Sequence, residues 1–130
     1  MDAAQALKEL TEVSSQIEAA VLMAADGSIL ASTLDDGERS ARLAHAARAL
    51  AEAAETVPRE VGEGQLVQLQ VALLDGSVFV VRDEQRIAGA VTTPDPTAGL
   101  VFYDLKSCLR AAAAEVGDGR PRPTPRGGSA

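Results

Sequence analysis

Aromatic side chains are scarce in this 130-residue chain, which has two Phe, one Tyr and no Trp. Phe79, Phe102 and Tyr103 are too few to make the stacking platforms on which single-stranded nucleic acid is held. The core must therefore come from Ala, Val and Leu, and elements faced with such small residues can approach one another closely. Cysteine occurs once, as Cys108, so no disulfide can close within the chain, which suits a reducing compartment. Histidine also occurs once, as His45, and a lone His with a lone Cys leaves a zinc site short of ligands. The two lysines, Lys8 and Lys106, lie away from glycine-rich loops. No Gly-x4-Gly-Lys-Ser/Thr run and no Gly-x-Gly-x-x-Gly turn is present, which excludes the phosphate cradles of P-loop and dinucleotide enzymes. No apolar run approaches the ~20 residues of a membrane span. The opening Met1-Asp2-Ala3-Ala4-Gln5 lacks the basic start and apolar core of a secretion signal. A cytoplasmic protein without membrane insertion is expected.

What is present is an acidic, apolar-rich chain of one-domain length: the net charge is −7 and 46% of residues are hydrophobic. Arg120, Arg122 and Arg126 make residues 117–130 positive, so the body is more acidic than the whole, and an acidic body repels nucleic acid and anionic lipid. Residues 1–116 are expected to fold and the Pro/Arg/Gly tail, 117–130, to be disordered. The single candidates for chemistry do not assemble into a site. His45 sits among alanines of a helical stretch, and Cys108 falls on the apolar stripe of another helix, where a core thiol is expected. Asp35 and Asp36 are adjacent in a turn and cannot face each other across a substrate. Glu60 and Glu63 read as a solvated loop. No catalytic, cofactor or metal residue is assigned, and no enzyme activity is expected.

Periodicity sets out the elements. Ala3, Ala6, Leu7, Leu10 and Val13 recur at helical spacing behind Asp2, which predicts a first helix over 2–15. A strand over 17–24 and its partner over 28–34 flank Asp26-Gly27-Ser28, and the same turn chemistry recurs at Asp75-Gly76-Ser77. Asp35-Asp36-Gly37 places negative charge at the start of a second helix, 38–57, which Pro58 closes. Along that helix Leu43, Ala47, Leu50, Ala54 and Val57 form a narrow seam, Arg48 and Glu52 can pair one turn apart, and Arg39, Arg42 and Arg48 supply its positive charge. Residues 66–81 read as a hairpin about Asp75-Gly76, a dipeptide suited to the positive φ angles of a tight turn. A fifth strand, 87–93, contains Gly89 and other small residues, as expected of a central strand crossed closely by helices. Asp95 is expected to cap a third helix, with Pro96 at its first position, running to about Val116.

The order is α-β-β-α-β-β-β-α, an α/β fold whose single sheet has helices one and three on one face and helix two on the other. Its third strand, Val67 to Leu73, is long and apolar and carries neither Pro nor Lys to discourage edge pairing. Leu69→Pro is the obvious probe of such an edge.

Three runs, in this order and spacing, carry a resemblance: Ile17-Glu18-Ala19-Ala20-Val21-Leu22 with Ala25-Asp26-Gly27; Gly62-Glu63-Gly64-Gln65-Leu66; and Thr97-Ala98-Gly99-Leu100-Val101. Over residues 1–116 the chain resembles the roadblock/dynein light-chain family, in particular its stand-alone bacterial members. The resemblance implies a profilin-like, mainly antiparallel sheet in strand order 2-1-5-4-3. It also implies a cofactor-free homodimer that scaffolds or regulates a partner, such as a small Ras-like GTPase or a signalling complex containing one. Third strands would pair across a twofold axis, which assigns Val67, Leu69, Val71 and Leu73, with Leu43, Ala47, Leu50 and Ala54 of the helix seam, to the dimer interface. Arg39, Arg42 and Arg48 are the candidate partner surface. The alternative reading is a small-ligand sensor, which a cavity lined by Phe79, Phe102 and Tyr103 would favour.

Overall fold

The computed structural model describes residues 1–57 and 67–119, with side chains as far as residue 113. Eight elements follow in the expected order: α1 (Ala3–Val13), β1 (Ile17–Ala24), β2 (Ile29–Ser32), α2 (Gly37–Glu55), β3 (Val67–Leu73), β4 (Gly76–Arg82), β5 (Arg86–Thr92) and α3 (Ala98–Gly119). The strands form one sheet in the order β2-β1-β5-β4-β3, with every neighbouring pair antiparallel. Pro58 and the run 62–66 lie outside the described residues, as does the tail from 120 onward; residues 117–119 belong to α3.

Side chains set the helix starts. The Asp2 carboxylate accepts the Gln5 N–H at 2.8 Å. Asp36 accepts those of Glu38 and Arg39 at 2.9 and 3.4 Å, so donors that a helix leaves open are satisfied. The third helix departs from expectation. Asp95 does not cap it, and Pro96 is not its first residue: α3 begins at Ala98, and the Thr97 carbonyl accepts from the N–H groups of Leu100 and Val101. Asp95 instead has φ +54°, a left-handed conformation that a short polar side chain tolerates, and it reverses the chain between two prolines. The Thr97 N–H donates to the Gln16 side-chain oxygen at 2.7 Å, pinning the start of α3 beside the end of α1.

The two turns with matching sequence use glycine differently. Gly27 has φ +97°, and the Asp26 carboxylate accepts both the N–H and the hydroxyl of Ser28, at 2.9 and 2.7 Å. At the second turn the expected positive φ is absent. Leu73 pairs with Gly76, so Leu74 and Asp75 make the turn, and Gly76 is already in β4. Glycine is required there for space, since a Cβ at Gly76 would stand 2.5 Å from the Thr92 carbonyl oxygen.

Alternation along the strands divides the core in two, as the element pattern predicts. Leu22, Phe79, Val81, Ala88 and Ala90 face α1 and α3, meeting Leu7, Leu10, Val101 and Leu105. Val21, Met23, Val80 and Ile87 face α2 and meet Ala44, Ala47 and Ala51. Small residues let α2 approach closely: a Cβ on Gly89 would lie 2.7 Å from that of Ala47.

Candidate interaction surface

The open edge of the sheet at β3 has a definite hydrogen-bonding phase. The Asp83 N–H donates to the Arg86 carbonyl at 3.0 Å across the β4–β5 turn. Alternation then directs the backbone groups of Ser77, Phe79 and Val81 toward β5, and those of Gly76, Val78, Val80 and Arg82 toward β3. Their β3 partners are Leu73, Val71, Leu69 and Val67, so the N–H and C=O groups of Gln68, Gln70 and Ala72 point away from the protomer. Leu69 is thus a poor probe of the edge, because its N–H belongs to the β3–β4 ladder.

The eight seam and strand residues singled out from the sequence are placed unequally. Val67, Leu69 and Val71 are half-buried on the α2 side of the sheet, and Leu73 is 54% exposed. Leu50 and Leu43 pack against the rim of the α2 core, and Ala54 is half-buried. Ala47 is wholly buried against Gly89, so it has no surface to offer a partner. Burial on α2 follows Ser40, Ala44, Ala47 and Ala51, which keeps Ala47 of the predicted seam but takes Ala44 and Ala51 in place of Leu43 and Leu50. Leucines would hold the helix farther from the sheet; alanines admit the close approach, and Leu43 and Leu50 are left at its flank.

The three arginines do not share a face. Arg39 and Arg42 are exposed and line a surface hollow with Glu18, Ala19, Leu34 and Leu43. Arg48 lies about 180° round the helix from Arg39 at 3.6 residues per turn. Its guanidinium pairs with Glu52 at 3.1 Å and lies against Gly27. Hydrogen bonds from the Ser28 N–H and hydroxyl hold the Asp26 carboxyl below the usual carboxylate range, and Arg48 adds a smaller pull.

Three polar ties escaped sequence reasoning. Arg82 pairs with Glu55 at 3.1 Å, fastening the end of α2 to β4. The hydroxyls of Ser32 and Ser40 meet at 2.7 Å between β2 and α2. Arg86, the last residue of the charged run 82–86, is only 5% exposed, and its guanidinium reaches the Gln85 side-chain oxygen at 3.3 Å. Separation in sequence hides the first two, and nothing in the run 82–86 marks which charge turns inward.

The isolated candidates for chemistry stay isolated. Cys108 is buried, and desolvation pushes its thiol up to about 11, away from thiolate reactivity. His45 is exposed on α2. Phe79 and Phe102 pack edge to face, with ring centroids 4.9 Å apart, while Tyr103 is 62% exposed, so the three aromatics do not line a common cavity. Among the described residues no group of three or more His, Cys, Asp or Glu could hold a metal ion. No helix among them is long and apolar enough to cross a membrane.

Comparison with solved structures finds the same fold. A Roadblock/LC7 domain from Streptomyces avermitilis superposes with a TM-score of 0.78 at 17% identity, covering 90% of this chain and 99% of that one. The gliding protein MglB from Thermus thermophilus gives 0.71 at 18% identity, with 90% of each chain covered. Myxococcus xanthus MglB gives 0.65 at 11% identity, covering 92% of this chain and 89% of its own. Among curated proteins, none matches this chain in sequence. The sequence model for the Roadblock/LC7 domain matches residues 3–93, from the start of α1 to just beyond β5. The chain belongs to the Roadblock/LC7 domain family.

Proposed function

We propose that this protein is a non-catalytic homodimer, joined through β3, that scaffolds or regulates a small Ras-like GTPase in the cytoplasm. The observation that carries the reading is the open edge: a seven-residue strand with three outward-facing residues and no charged side chain of its own. The family is one of non-enzymatic scaffolds and regulators, which supports the non-catalytic part. Twofold pairing centred on Gln70 sets Gln70 opposite its own copy and Gln68 opposite Ala72 of the mate. This register uses all three outward-facing residues, whereas shifting the centre to either neighbour loses pairs. The half-buried Leu69 and Val71 would then close over each other beside Leu50. The GTPase would supply the nucleotide chemistry, and Arg39 and Arg42, at their hollow on the α2 face, are the contact residues proposed for it.

Light scattering at micromolar concentration should give the mass of two chains. The immobilised protein should retain a small Ras-like GTPase from its own source, and comparison of GDP with GTP-analogue forms separates a regulator from a passive scaffold. Arg39→Glu/Arg42→Glu should weaken retention at least tenfold, in line with a like-charge cost of several kcal/mol at an interface. A monomer, or a GTPase that washes through in both nucleotide states, would defeat the reading.

A further inference from the structure

The end of the sheet remote from β3 is bounded by β2 and, on one face, by α1, which lies over β1 and β2. Between this helix and the edge strand runs a groove of about 370 Å³. Ala4 and Leu7 of α1 form one wall, and Leu30 and Ala31 of β2 form the other. Leu30 is 44% exposed, so an apolar side chain of some size is left in water. Among the described residues Lys8 is the one charge that lines the groove, and Asp35 and Asp36, just past the strand, lie outside it. No ion pair joins Lys8 to any described residue, Glu12 one turn along α1 included.

The backbone of β2 has a definite phase. The Thr33 N–H donates to the Ala20 carbonyl at 2.9 Å, so Thr33 and Ala31 turn their backbone groups toward β1 and Ser32 turns its own outward. Nearer the turn the Ser28 carbonyl accepts the Ala24 N–H at 2.9 Å, which sends the groups of Ile29 outward as well. A bulge opposite the Leu22–Met23 step puts Leu30 between these two residues as an extra one, and that breaks the even spacing a long ladder needs.

These features select the end of a chain. A strand passing through would need a regular edge, which the bulge denies it. A few residues ending beside Ser32 need only the donor and acceptor of that residue. A chain end also brings a carboxylate to pair with Lys8. Alternation sends every second side chain of such a segment to the α1 side, where Leu7, Leu30 and Ala31 make an apolar seat. We propose that the α1–β2 groove binds the free C-terminus of a partner protein as a short strand added to β2, with its carboxylate at Lys8 and an aliphatic side chain between Leu7 and Leu30. Main-chain hydrogen bonds supply affinity in recognition of this kind, and the side-chain seat supplies selectivity. The site lies at the opposite end of the sheet from β3 and depends neither on the dimer nor on the GTPase.

The test is fluorescence anisotropy on full-length protein with three labelled pentapeptides, Thr-Val-Thr-Val followed by Ala, Val or Leu, each as free acid and as amide. At least one free acid should bind with a Kd below about 1 mM. Amidation should weaken it about fivefold, the upper range for an exposed ion pair. Lys8→Glu should weaken the same free acid about tenfold, because attraction becomes repulsion, whereas Lys8→Arg should retain it. Far-UV circular dichroism checks that both variants are folded. Methylating alternate amide nitrogens of the peptide should weaken binding in one phase and spare it in the other, since a strand donates every second N–H to a given neighbour. Free acid and amide that bind alike overturn the proposal, as does a free acid that Lys8→Glu leaves unchanged. Equal loss from both methylation patterns, or no binding by any of the three peptides, overturns it too.

Discussion

Gly89 and Ala47 show how much depends on single missing atoms. With 2.7 Å available for a Cβ, Gly89→Ala forces either α2 or β5 to move, and Ala47 has no flexible end that can yield. The substitution should cost about 1–3 kcal/mol, as overpacking generally does. Urea unfolding should show a lower midpoint with an unchanged slope. At Gly76 the obstacle is a backbone carbonyl, and at Gly27 the φ of +97° is itself strained for any other residue. The sequence showed where glycine punctuates the chain. It did not show that Gly27 serves conformation and Gly76 serves clearance, because that difference arises from β5, which reaches the turn only in the folded sheet.

At the scale of elements, the periodic signals were legible and the interruptions less so. All eight elements follow from apolar spacing, and Asp2 and Asp36 cap as their positions imply. Asp95 does not, since prolines on both sides favour a reversal over a helix start. The seam of α2 keeps Ala47 but passes from Leu43 and Leu50 to Ala44 and Ala51, because in an alanine-rich helix size rather than hydrophobicity decides which side lies nearest the sheet. For the candidate site, β3 was visible as an unguarded edge, whereas its phase required the β4–β5 turn. That phase selects Gln70→Pro as the informative substitution. Its N–H faces outward, so proline removes an edge donor and leaves the β3–β4 ladder its partners. At micromolar concentration the variant should scatter as a folded monomer, while Gln70→Ala, with the N–H intact, should remain a dimer. A Gln70→Pro protein that still has the mass of two chains would rule out pairing through this edge.

For the whole molecule, a sheet clad on both faces leaves its two ends as the exposed backbone. At one end β2 is only four residues long, and just beyond it the Thr33 hydroxyl accepts the Ala20 N–H of β1 at 2.9 Å, so this edge offers a short stretch of backbone for pairing. The other end is β3. If folding is completed by joining two such ends, stability depends on concentration by mass action. The melting temperature should then rise by about 2–3 °C for each tenfold increase in protein, given ordinary unfolding entropies for two chains of this length. A melting point independent of concentration over two decades would show that the protomer is self-sufficient.

The phase of β3 also governs stoichiometry. In the proposed dimer, antiparallel edges with the same outward-facing residues would put both α2 helices on one side of the continuous sheet and both α1–α3 pairs on the other. A bulky partner seated over the twofold axis on the α2 side would meet two equivalent half-sites and exclude a second copy of itself, giving one partner per dimer. Ligands of the far side would meet two separated and equivalent α1–α3 faces, giving two per dimer. Titration calorimetry would therefore distinguish the faces by binding number alone.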